Sequence, residues 1–120
     1  MTLKECYTAI GGNFDDVLGR LRSEKMVQKF VLKFLDDPSF ENLCQAMDAG
    51  NVDEAFRAAH TIKGMCLNLG FTRLGDSGSQ MTEALRAGDM TGAQALLPRV
   101  REDYKVTADA ITALKDELSE

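Results

Sequence analysis

The chain has 120 residues, 44% hydrophobic and 28% charged, with a formal net charge of −5, which is the composition of one globular domain around a single core. That acidic balance argues against nucleic acid or an anionic membrane as the main partner, since both call for a basic footprint. No apolar run approaches the ~20 residues that span a bilayer, and no signal-peptide core opens the chain; a cytoplasmic protein is expected.

Cys6, Cys44 and Cys66 are three cysteines without a Cys-x-x-Cys pair, and His60 is the only histidine. That set fits neither a disulfide framework nor a zinc site, and it reads as three reduced, mostly buried thiols. Met1 and the polar Ser119-Glu120 end read as those of a stand-alone chain.

Taken in order, Leu3, Cys6, Tyr7 and Ile10 give Thr2–Ile10 helical spacing. Gly11-Gly12 breaks the helix, and Asn13 is placed to cap a second short helix, Phe14–Leu21. The glycine pair is a turn and not a phosphate loop, because no Gly-x-x-x-x-Gly-Lys comes after it. Ser23 starts a longer stretch whose apolar face is Met26, Val27, Phe30, Val31, Phe34 and Leu35. Those residues read as core packing rather than a cofactor pocket. Pro38 pushes Asp37 out of helical geometry, and Ser39 can recap the helix beyond it. Ser23–Ala49 is read as one bundle helix, kinked or broken near Pro38, with a stop at Gly50.

Asn51-Val52-Asp53-Glu54 has the form of a capping box and launches a helix that runs to Leu69 and stops at Gly70. Its apolar stripe is Ala55, Ala59, Ile62, Cys66 and Leu69. At about 100° per residue, His60 faces solvent, with Lys63 and Gly64 one turn along on the same side. A neutral imidazole, with an unperturbed pKa near ~6.5, offers a nitrogen lone pair at cellular pH; that nitrogen can take a phosphoryl group and release it. The Lys63 ammonium can offset the charge of such a group. Glycine inside a helix costs roughly 1 kcal/mol relative to alanine, so Gly64 is there for access rather than stability. Phe56, Arg57 and Leu67 lie within about 60° of His60. The three form a transient docking surface around the histidine, or else Phe56 and Leu67 simply tuck against neighbouring helices.

Beyond Gly70, Thr72 can cap a helix over Arg73–Ala87, whose Gly75, Ser77, Gly78 and Ser79 are small enough for close helix approach. Gly88-Asp89 ends it, and Thr91 caps the last helix, Gly92–Leu118. The apolar positions there are Ala95, Leu96, Val100, Tyr104, Val106, Ala110, Ile111, Leu114 and Leu118. Pro98 predicts a kink or a late start, and Arg99, Arg101, Glu102, Asp103 and Lys105 read as a solvated face. No linker, repeat or nucleotide loop appears.

The run Ala59-His60-Thr61-Ile62-Lys63-Gly64, followed by Leu69-Gly70, resembles the signature of the histidine-containing phosphotransfer (HPt) domain, Ala-His-x-Leu-Lys-Gly and then Leu-Gly. Ile62 is a conservative replacement, and helix lengths from about Ser23 to Leu118 are similar to that family's bundle. The resemblance implies an all-α fold: an antiparallel, up-and-down four-helix bundle over residues 23–118, with residues 1–22 as short capping helices. It implies a phosphorelay carrier and no kinase ATP site. His60 would be the phosphoacceptor through Nε2, Lys63 would stabilise the phosphoryl charge, and Gly64 would give steric access. The partners implied are response-regulator receiver domains and a hybrid sensor histidine kinase, with the receiver supplying Mg²⁺ and this chain binding no cofactor or metal. Ser79 or Thr82 would line the edge of the site. The protein is expected to be monomeric. The rival reading is a helical scaffold or binding module that never carries phosphate; such a chain would be expected to have lost one of His60, Lys63 or Gly64.

Overall fold

The computed structural model describes residues 1–119; Glu120 lies outside the described residues. Seven helices succeed one another: α1 (Leu3–Ile10), α2 (Phe14–Leu21), α3 (Glu24–Phe34), α4 (Ser39–Asp48), α5 (Val52–Leu69), α6 (Thr72–Arg86) and α7 (Met90–Leu118). The described residues are all-α, and none of these helices is long and apolar enough to cross a membrane.

Local chemistry sets most of the boundaries. Thr2 and Glu5 form a reciprocal cap, Glu5 N–H donating to Thr2 Oγ1 at 3.1 Å and Thr2 N–H to Glu5 Oε1 at 2.9 Å. Asn13 caps α2 as expected, its Oδ1 accepting from Asp16 N–H at 3.0 Å. The expected Ser23–Ala49 helix is two helices, because Pro38 has no N–H to give and disfavours helical geometry at Asp37. Asp37 also takes the capping role expected of Ser39, its Oδ1 accepting from Ser39 N–H at 2.8 Å. At α5 only half of the capping box forms. Asn51 Oδ1 accepts from Glu54 N–H at 3.1 Å, while Asn51 N–H donates to Ala46 O at 2.9 Å and the Glu54 carboxylate turns to Arg57.

The later starts shift by a residue or two. Thr72 is the first residue of α6 and not its cap; Phe71 precedes it, fully buried. Asp89 caps α7 in place of Thr91, accepting from Gly92 N–H at 2.8 Å. The helix then runs through Pro98 without the late start that proline suggested.

Two faces also differ from expectation. On α3, Met26 and Phe30 are exposed and the core side is Val27, Val31 and Phe34. On α7, Val100, Ala110, Ile111 and Leu114 are buried as expected, but Ala95 and Leu118 are exposed and Ala93 is buried. Asp103, read as solvated, is 3% exposed. Its Oδ1 accepts from Arg73 Nε–H at 2.7 Å and Arg99 Nε stands 3.7 Å from Oδ2, so a charge that belongs in water is paired inside instead.

Helix α5 packs most heavily on α6 and α4, α6 on α7, and α1 on α7. A Cβ at Gly75 would meet Cys66 Cβ at 3.3 Å, and one at Gly78 would lie 3.9 Å from the Lys63 backbone. Helices α5 and α6 therefore run in opposite directions and close at these small residues. The first two helices seal the far end of α5. Tyr7 Oη–H donates to Leu69 O at 2.6 Å, Asn13 N–H to Gly70 O at 2.8 Å, and Arg20 Nη2 to both Leu67 O at 2.9 Å and Asn68 O at 2.7 Å. Gly12 and Gly70 pass backbone to backbone there: a Cβ on Gly12 would stand 2.6 Å from Gly70 O.

Candidate functional site

The site is the outer face of α5, and the helix is fixed at both ends before any functional residue is reached. Asn51 caps its start, and Gly70, at φ +71°, takes the left-handed conformation that ends it. Ala55, Ala58, Ala59, Ile62, Cys66 and Leu69 are buried. Helical geometry then turns His60 outward, and His60 is exposed.

Lys63 and Gly64 follow His60 on the same helix, three and four residues on. Gly64 is exposed, and nothing lies within 4 Å of where its Cβ would be, so the helix surface one turn beyond the imidazole is bare. Lys63 is half-buried, with its backbone against Gly78 of α6.

The three residues read as docking or tucked have separate fates. Leu67 is 61% exposed, and its carbonyl anchors Arg20. Arg57 is exposed and paired with Glu54 on its own helix at 3.0 Å. Phe56 is half-buried: its ring lies 5.8 Å from the His60 imidazole, centroid to centroid, at an interplanar angle of 15°, and the Arg86 guanidinium sits over it at 5.0 Å. Of the two α6 hydroxyls considered, Thr82 is fully buried and donates to Gly78 O at 2.7 Å. Ser79 reaches the surface, where it lines a small notch of about 130 Å³ with Asp16, Leu67 and Asp76.

Arg86 and Glu83 were not picked out from the sequence. Arg86 sits in the last turn of α6, where a basic residue needs no explanation beyond the helix dipole; only the α5–α6 register brings it over Phe56. A groove of about 490 Å³ between α4 and α5 is lined by Ser39, Gln45, Glu54, Arg57 and Thr61 among others. It flanks the histidine without including it.

Two of the three thiols are put out of reach. Burial pushes the Cys66 thiol up to about 12 and the Cys6 thiol up to about 11, so both stay protonated near neutrality. Among the described residues, no three His, Cys, Asp or Glu side chains are gathered where they could share a metal ion.

The face thus presents an exposed imidazole, a lysine three residues on and open space at the glycine four residues on. Neither a curated protein nor a solved structure matches the chain, whereas the family model of the Hpt domain matches residues 25–120. The chain therefore belongs to the Hpt domain family, the histidine phosphotransfer carriers of two-component phosphorelays.

Proposed function

We propose that His60 is the phosphoacceptor of this chain. In this reading a lone pair of the neutral imidazole, at Nε2, attacks the phosphorus of an aspartyl-phosphate on a receiver domain. The N–P bond forms as the acyl-phosphate O–P bond breaks, and the aspartate leaves as carboxylate. The reverse step delivers the phosphoryl group to the aspartate of a second receiver. Phosphoryl transfer asks mainly for positioning and charge balance, and Lys63 supplies the balance on this side. The receiver brings its acidic pocket and Mg²⁺.

The observation that carries this reading is the exposed His60 one turn before a glycine with open space around it. An approaching receiver meets the imidazole with no side chain at position 64 in its way. The partners on this reading are response-regulator receivers and a hybrid sensor histidine kinase, with Leu67 and Arg57 on the contacted surface, and the protein works as a cytoplasmic monomer. We also read the chain as a single domain, in which the paired α3–α4 unit, α5, α6 and α7 make an antiparallel up-and-down four-helix bundle and residues 1–22 cap one end.

The test is label transfer from a phosphorylated receiver to wild type and to His60→Gln. Acid-labile, base-stable label on wild type and none on the variant is the expected result. Equal labelling of both, or no label on wild type with several receivers, overturns the assignment and leaves a helical scaffold.

A further inference from the structure

We infer that Phe56, itself pinned by Arg86, is the positioning residue that orients the His60 imidazole for transfer. This rests on His60 being the residue that carries the phosphoryl group.

An imidazole on the open face of a helix turns freely between its staggered χ1 wells and about a broad χ2. In-line attack tolerates little of that motion, since the reacting atoms must meet within about 3–3.5 Å and in line. Something has to hold the ring, and His60 makes no hydrogen bond to a protein group that could do so among the described residues. What it has is a ring partner. Phe56 lies four residues earlier, on the same face, and helical side chains lean toward the N-terminus. The imidazole thus leans toward Phe56, and the two rings sit at 5.8 Å and 15°, an offset stack. Gly64 lies four residues on the other way. The ring is backed on one side and clear on the side where a receiver comes in.

Phe56 is held in turn. Its body packs against the core. The Arg86 guanidinium stands over it at 5.0 Å, within reach of a cation–π attraction, and Glu83 holds that guanidinium at 3.4 Å from one turn back on α6. The arrangement crosses the α5–α6 seam, which Gly78 lets close. The orientation of the imidazole is thereby tied to the register between two helices and not to α5 alone.

Three variants test this. Phe56→Leu keeps apolar bulk and removes the ring, Phe56→Tyr keeps the ring, and the exposed Arg86→Gln removes the cation without touching the core. Proton NMR of the unphosphorylated proteins reads the stack directly. We expect Phe56→Leu to move the His60 ring resonances away from their wild-type positions as the ring current is lost, and Phe56→Tyr to restore them. In receiver-to-His60 transfer we expect the maximal rate of Phe56→Leu to fall roughly three- to tenfold with KM for the receiver unchanged, Phe56→Tyr to recover it, and Arg86→Gln to fall between. His60 resonances that are the same in wild type and Phe56→Leu, or a loss confined to KM, overturn the inference and make Phe56 a docking residue. The NMR arm needs no phosphate: a protein that shows the stack but takes no label overturns the phosphoacceptor assignment, whereas one that takes label but shows no stack overturns the positioning role alone.

Discussion

At position 64 a single hydrogen stands where almost any other residue would serve the helix better. Gly64 sits in mid-helix with a helical φ, and nothing lies within 4 Å of where a Cβ would stand, so alanine there meets no obstacle. Gly64→Ala should raise stability by about 1 kcal/mol through helix propensity alone, seen as a higher denaturant midpoint. A long side chain should do the reverse for function: Gly64→Gln should keep the fold, by circular dichroism, and slow receiver-to-His60 transfer at least about tenfold by obstructing close approach. Stability and transfer moving in opposite directions is the expected signature; a parallel fall in both would mean the glycine serves packing. His60, Lys63 and Gly64 could be recognised in the sequence because their relation is one helical turn, fixed by local geometry. The Phe56–Arg86 contact could not, because it depends on how α6 slides along α5.

Among the elements, α5 was the most legible, since Asn51 and Gly70 mark its ends within the chain itself. Its tethering was not. Leu67, Asn68, Leu69 and Gly70 present four carbonyls at the C-terminal end, which no later turn of α5 can satisfy. Arg20, Tyr7 and Asn13 satisfy all four, and the partners lie 47 to 62 residues apart where side chains are involved. No periodicity encodes such pairs. Removing the Tyr7 hydroxyl in Tyr7→Phe leaves the buried Leu69 carbonyl without it and should cost about 1–2 kcal/mol. Gly12→Ala should cost more, because its Cβ would stand 2.6 Å from Gly70 O and backbone has to move. Chemical denaturation of both variants checks the order. The same limit explains Asp103: a charge on a charged stretch of α7 reads as solvated until Arg73, 30 residues away, is found against it.

The molecule as a whole is thin, 42 × 27 × 18 Å. Helix α7 alone, at about 1.5 Å per residue, accounts for the long axis, and the short axis is about two helix layers. Nearly every helix therefore keeps a solvent face, yet Cys6 and Cys66 are 0% and 1% exposed. Burial raises both thiols from an ordinary 9.0 to about 11 and about 12, and it raises Tyr7 as well. The folded state thus holds protons that the unfolded chain releases from about pH 9 upward. This contribution to stability is complete below about pH 9 and is lost as pH rises toward about 12. Thermal midpoints should be level to about pH 8.5 and fall above it, and Cys66→Ala should flatten the fall. Cys44, half-buried, should react with a thiol reagent well before the other two.

The seal on α5 also bears on what can be moved between proteins. The stretch matched by the family model begins at residue 25, while the groups that finish the histidine helix come from residues 7, 13 and 20. A graft cut at the family boundary would carry the His60 motif intact and leave the end of its helix frayed. The transferable unit is larger than the recognisable one: swapping relay specificity between such proteins means transplanting the leading helices together with the motif, or choosing a host whose own leader can close the same four carbonyls.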